Sequence, residues 1–248
     1  MNHELMHSSG DVSTLVIAYV VAVIGSLIGL ACMARARAET QRSAKVRWTV
    51  FGALAIGGIG IWLMHFIAML GFDVPGATVK YSAPLTALSA VVAVAVVGLG
   101  LSLVTLVRFT RMRLLLAGAL AGLGVAGMHY LGMSAIRFKG EIGYDPALVA
   151  ASCAIAVVAA TAAFWFTLVV KTTQATAAAG LIMGVAVTGM HYTGMAAVSV
   201  TSDPALPAPQ GTTVFDLVFP VFVISGLIVA ALLWMLFTSS EEAVGEPA

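Results

Sequence analysis

Seven apolar runs govern what this chain can become. They lie near residues 12–34, 48–71, 84–107, 114–136, 147–170, 176–199 and 217–238. Each is long enough to cross the roughly 30 Å hydrocarbon layer of a bilayer, which takes about 20 residues of helix. Hydrophobic residues make up 60% of the 248 and charged residues 9%, too little polar surface to cover a soluble globule of this size. The expected fold is therefore all-α: a polytopic membrane protein of seven transmembrane helices. Residues 1–11 read as an external N-terminal tail, 12–238 as the membrane domain and 239–248 as a cytoplasmic tail. The first run has no basic region ahead of it and no small-x-small cleavage pattern, so it reads as a retained span.

Basic residues set the expected orientation, because lysine and arginine in short loops stay cytoplasmic. Arg35, Arg37, Arg42, Lys45 and Arg47 follow the first run, Arg108, Arg111 and Arg113 the third, and Lys171 the fifth. Lys80, Arg137 and Lys139 are on the other side. This bias predicts an outside N-terminus and a cytoplasmic C-terminus, with Trp48, Trp165 and Trp234 as interfacial residues near the cytoplasmic helix ends and Tyr81 and Tyr144 near the outer ones. The near-zero net charge and the confinement of basic residues to loops make nucleic acid an unlikely partner. Cys32 and Cys153 fall at different depths, too far apart to bridge.

Within the apolar runs one pattern recurs. Met64-His65-Phe66, Met128-His129-Tyr130 and Met190-His191-Tyr192 are each followed by a methionine four residues after the histidine: Met69, Met133 and Met195. The histidines are 64 and 62 residues apart, which fits one helix pair with two short loops. The chain is thus three tandem helix-hairpin repeats, with the motif on helices 2, 4 and 6 and helix 7 as an unpaired extra. Gly58, Gly122 and Gly184 each lie seven residues before the motif histidine, expected on its side of the helix and suited to close helix packing. The loop from Thr201 to Asp216, with Pro204, Pro207 and Pro209, reads as extended.

An offset of four residues puts each histidine and its trailing methionine on one helix face, within about 40°. The leading methionines Met64, Met128 and Met190 turn about 100° away, toward a neighbouring helix or an outer layer of the site. The histidines lie at matching depth, six to eight residues before the outer ends of their helices. A histidine in hydrocarbon needs a partner, and intramembrane ionisable groups commonly mark function. Imidazole with thioether suits copper; zinc more often recruits cysteine or carboxylate, and magnesium and calcium need oxygen. No aspartate or glutamate lies inside the spans away from their ends. Every lysine is in a loop, which argues against a retinal Schiff base, and three histidines leave one over for a paired haem. Met1, His3, Met6 and His7 offer a further external copper-loading patch.

The sequence resembles the MHYT-domain family of bacterial integral membrane proteins, whose name is spelled by Met190-His191-Tyr192-Thr193, and the likeness runs from about 12 to 238. The resemblance implies a sensory module in the bacterial inner membrane that binds copper near the outer face and through it detects oxygen, carbon monoxide or nitric oxide. Its ligands fall on Met64, His65, Met69, Met128, His129, Met133, Met190, His191 and Met195. Phe66 departs from the tyrosine of the other copies, and Ile67 and Leu131 from Thr193. Family members are commonly fused to cyclic-di-GMP enzymes or histidine kinases. The residues here carry no such output domain, so the reading is a sensor, not an enzyme, that signals through a separate cytoplasmic or membrane partner. The alternatives are a copper-handling transporter, which needs polar groups through the full membrane depth, and a copper-dependent redox enzyme. The apolar inner halves of the helices argue against the transporter.

Overall fold

A computed structural model describes residues 12–244, with side chains through 238. The proposed patch at Met1, His3, Met6 and His7 lies outside the described residues. Seven helices long and apolar enough to span a membrane run α1 (Val12–Ala38), α2 (Arg42–Met69), α3 (Ala83–Thr105), α4 (Arg111–Met133), α5 (Pro146–Val169), α6 (Thr173–Ala196) and α7 (Val214–Val244, apolar through Thr238). Their starts follow from local chemistry. Thr110, Thr172 and Asp145 accept hydrogen bonds from the first free N–H groups of α4, α6 and α5. Pro84 and Pro146 occupy first-turn positions that need no donor.

Six helices close a ring, α1 against α2, then α3, α4, α5, α6 and back to α1. The motif-bearing α2, α4 and α6 alternate with α1, α3 and α5. Close glycine contacts give the ring one sense. A Cβ at Gly122 would stand 2.5 Å from Val157 Cα on α5, and one at Gly184 would stand 2.6 Å from the Val23 side chain on α1. On α2 the residue in this role is Gly57, where a Cβ would lie 2.8 Å from the Ala93 carbonyl oxygen on α3, whereas one at Gly58 would meet only the Val94 side chain at 3.5 Å. The expected equivalence of Gly58 with Gly122 and Gly184 therefore shifts by one residue. Leu54–Leu63 is π-helical, and its wider turns accommodate the one extra residue before His65. α7 stands outside the ring against the π-helical stretch and α1.

The basic loops gather at one end and the motifs near the other. At the basic end Arg37 donates to the Thr167 and Val170 carbonyls at the end of α5, satisfying carbonyls that the helix leaves free. Trp48 departs from its expected interfacial position. It is 1% exposed, and its Nε1 donates to Glu39 at 3.2 Å, so burial with a polar partner outcompetes the lipid interface. Trp165 and Trp234 are exposed, while Tyr81 is buried. Both cysteines are free.

The motif end carries four short strands that the apolar runs concealed: β1 (Lys80–Tyr81), β2 (Ile136–Arg137), β3 (Gly140–Tyr144) and β4 (Val198–Ser202). β1 pairs antiparallel with β2, β3 pairs antiparallel with β4, and Tyr81 bridges to Thr212. The connectors after α2, α4 and α6 are thereby joined, and each pairing satisfies backbone groups that a helix would otherwise satisfy. Helices 4 and 6 stop at Met133 and Ala196 rather than at 136 and 199, and each histidine sits four or five residues before its helix end, not six to eight. The 201–216 segment departs from the expected extended loop: it turns at 204–206, where the Leu206 N–H donates to the Asp203 carbonyl, and from Val214 it is already helical in α7.

Candidate metal centre

His65, His129 and His191 come from three different helices and meet on the axis of the ring. Their exposures are 4%, 0% and 1%. His65 Nδ1 lies 3.1 Å from His191 Nδ1 and 3.2 Å from His129 Nδ1. The three rings stand nearly edge-on to one another, with interplanar angles of 80°, 75° and 88° and centroids 5.0 to 5.1 Å apart. One ligand atom from each lies within 4.8 Å of the others, and this is the one such cluster of histidine, cysteine or carboxylate groups among the described residues.

A neutral imidazole carries one N–H and one bare nitrogen. Three Nδ1 atoms facing a common centre can be satisfied among themselves only if a single N–H is shared between two bare nitrogens, a weak bifurcated arrangement. A cation satisfies all three lone pairs at once. Three nitrogens held at about 2.0 Å from an ion in a plane stand about 3.5 Å apart, so the observed spacing needs an opening of only a few tenths of an ångström. The donor chemistry and the geometry both fit a metal ion.

The remaining polar atoms of the site are unusual. Nε2 of His129 and of His191 are buried without a hydrogen-bond partner. Tyr130 hydroxyl pairs with Ser152 Oγ at 2.7 Å, while Tyr192 hydroxyl is buried and unpartnered. At the first copy Phe66 stacks on Trp62, whose Nε1 donates to Ser89 Oγ at 2.9 Å. Thr193 donates to the Gly189 carbonyl of its own helix, a local bond that takes it away from the site.

The methionines divide into two sets. The trailing Met69, Met133 and Met195 come together in one apolar cluster with Phe72, Val74, Tyr81 and Ile136 beneath the strands. Burial pushes the Tyr81 phenol up to about 12, so it stays protonated and donates to the Met69 carbonyl. The leading methionines are elsewhere, Met64 packed with Ala18, Ala22 and Ile59 and Met128 and Met190 in the main core. Toward the basic end, one turn below the histidines, Ile61, Val125, Met190 and Ser26 help line a mostly apolar cavity of about 40 Å³.

Two residues of the site escaped the sequence reading. Gly132 and Gly194 each precede the trailing methionine of their motif, and each lies against a histidine ring nitrogen of another copy. Their repetition at one motif position was the available signal.

A family model described as a bacterial signalling protein N-terminal repeat, MHYT, matches residues 58–117, 122–180 and 184–243. The chain belongs to the MHYT family. The family's frame pairs each motif helix with the helix that follows it. In the third copy that helix is α7, yet α1 takes the corresponding place in the ring. Among curated proteins, the bifunctional diguanylate cyclase/cyclic di-GMP phosphodiesterase MucR of Pseudomonas aeruginosa is 39% identical over 183 residues, 72% of this chain and 26% of its own. The cyclic di-GMP phosphodiesterase NbdA of the same organism is 33% identical over 216 residues, 85% of this chain and 26% of its own. The signaling protein YkoW of Bacillus subtilis is 31% identical over 211 residues, 82% of this chain and 26% of its own. The chain spans about a quarter of the length of these relatives. No solved structure matches it.

Proposed function

We propose that this MHYT protein is a membrane sensor that holds copper at His65, His129 and His191 and reports a diatomic gas or redox state to a signalling partner. The observation that carries this reading is the convergence of three Nδ1 atoms from three helices in a buried site. Three imidazoles alone suit zinc as well as copper. The choice of copper rests on Met69, Met133 and Met195, which supply thioethers one helical turn from each histidine and favour Cu(I). Met64, Met128 and Met190 belong to the surrounding shell in this proposal. The cavity below the triad has a mostly apolar lining, which disfavours water, and a volume that admits a small gas molecule.

The signalling role draws on the family description and on relatives named for cyclic di-GMP synthesis and hydrolysis. An output partner of that chemistry is the proposed recipient. The surplus of basic residues at the end opposite the motifs supports a cytoplasmic location for that end and a copper site near the outer face. A reporter active only in the cytoplasm, fused after Ala248, should be active; a silent one with an active periplasmic counterpart reverses the topology.

The functional test is made on protein purified without a histidine tag from copper-supplemented cells. Copper content is measured, and the reduced protein is exposed to carbon monoxide with infrared detection of a Cu(I)-bound carbonyl. Copper with a carbonyl band is expected. Copper-free protein, or zinc in its place, rejects the copper reading, and copper that ignores carbon monoxide, nitric oxide and oxygen rejects gas sensing.

A further inference from the structure

A Cβ built on Gly194 would lie 2.5 Å from Nε2 of His129, and one built on Gly132 would collide with Nε2 of His65. Real Cβ atoms do not approach ring atoms so closely. The edge of each imidazole opposite the triad therefore rests on bare backbone of the next copy's motif helix: copy two seats the histidine of copy one, and copy three seats the histidine of copy two. Other glycines of the same helices have no such neighbour. A Cβ at Gly127 or at Gly189 would meet nothing within 4 Å.

The unpartnered Nε2 of His129, on a fully buried residue, gives this packing chemical meaning. Its ring has two nitrogens, one facing the other histidines and one facing Gly194. Rotating the ring by half a turn about its bond to Cβ would put carbon at the convergence point and remove the close nitrogen contacts at 3.1 and 3.2 Å. Bare backbone leaves room for the outer edge of the ring, and with the ring held there the close approach of the three nitrogens selects the orientation with Nδ1 inward and Nε2 outward.

Building on the metal-binding reading above, we propose that Gly132 and Gly194 are positioning residues that seat the His65 and His129 rings so that the metal is taken through Nδ1, leaving Nε2 as the N–H of each ring. The corresponding residue of the first copy is Ala68, so the glycine seat is present in two copies and not in the third, and the site is not threefold symmetric. A metal-bound imidazole ordinarily donates its other N–H to an acceptor that fixes the ring. Here steric seating does that task for His129.

The test is nitrogen-15 NMR of histidine-labelled full-length protein loaded with Cu(I), a diamagnetic probe. Two-bond couplings from the ring protons identify which nitrogen carries hydrogen and which is bound. His65, His129 and His191 should show protonated Nε2 and metal-shifted Nδ1. Gly194→Ala should displace the His129 signals and weaken Cu(I) binding at least tenfold, and Gly132→Ala should do the same through His65. Gly189→Ala and Gly127→Ala should leave both unchanged. Metal on Nε2, or Gly194→Ala with native His129 signals and affinity, overturns the inference. If the wild-type protein takes up no Cu(I), the proposed function falls separately; the seating then stands or falls on whether Gly194→Ala, and not Gly189→Ala, moves the His129 resonances of the metal-free protein.

Discussion

The first motif copy and the other two reach the same point by different routes. α4 and α6 are regular α-helices from end to end, and their packing glycines stand seven residues before the histidine. α2 passes through a π-helical stretch and uses Gly57, eight residues before His65. It also has Phe66 for tyrosine and Ala68 for glycine. Despite these differences His65 is the central member of the triad, in contact with both other Nδ1 atoms. The requirement that survives across the copies is the position of the imidazole, while helix type, aromatic hydroxyl and small-residue register all vary. α2 is also the motif helix whose irregular segment touches α7, the helix that leads to the chain's C-terminal end.

The largest expected effect separates the copies at the histidines themselves. His65→Ala removes the member that touches both others and should abolish metal binding, while His129→Ala or His191→Ala leaves one close nitrogen pair or its remnant and should weaken binding steeply. Isothermal titration with Cu(I) under a competing chelator reads this ranking. Equal, small losses for all three would show that the triad is not a shared site.

The glycine register comes next. Gly57→Ala sets a methyl against the Ala93 carbonyl and should destabilise the bundle by about 1–3 kcal/mol, the usual cost of overpacking. Gly58→Ala meets only the end of a valine side chain and should change stability by less than about 0.5 kcal/mol. Unfolding titrations in mixed micelles compare the two. If Gly58→Ala is the damaging one, α2 has the same register as α4 and α6.

Met133→Leu and Met195→Leu keep volume and apolarity, so stability should change by less than about 1.5 kcal/mol. Cu(I) affinity should fall while zinc affinity holds, and a parallel loss of both metals would assign these methionines to packing alone. The smallest effect concerns the tyrosines. Tyr130→Phe removes the bond to Ser152 and should cost about 0.5–1.5 kcal/mol, whereas Tyr192→Phe removes an unpartnered buried hydroxyl and should be neutral or stabilising in the same unfolding assay, as Phe66 already is by nature.

Local periodicity made much of this legible in advance. Apolar runs of membrane length fixed seven helices, and a four-residue offset repeated at near-constant spacing fixed three histidines at one depth. What stayed hidden depended on distant partners. Val198–Ser202 and Ile136–Arg137 continue their apolar runs and look helical until β3 and β1 pair with them. Trp48 looks interfacial until Glu39 is brought alongside. The π-helical register of α2 is foreshadowed only by Gly57-Gly58-Ile59-Gly60, a run that offers packing glycines at more than one position. The seats at Gly132 and Gly194 required knowing which histidine lies over which helix, information that no single repeat contains.

The central claim is that three histidines hold one metal ion. Copper-edge X-ray absorption on tag-free, copper-loaded protein tests it most directly. The account predicts one copper per chain with three nitrogen neighbours at about 2.0 Å carrying the multiple-scattering signature of imidazole, lost in the variant with His65, His129 and His191 all replaced by alanine. An unchanged spectrum and full copper content in that variant would contradict it.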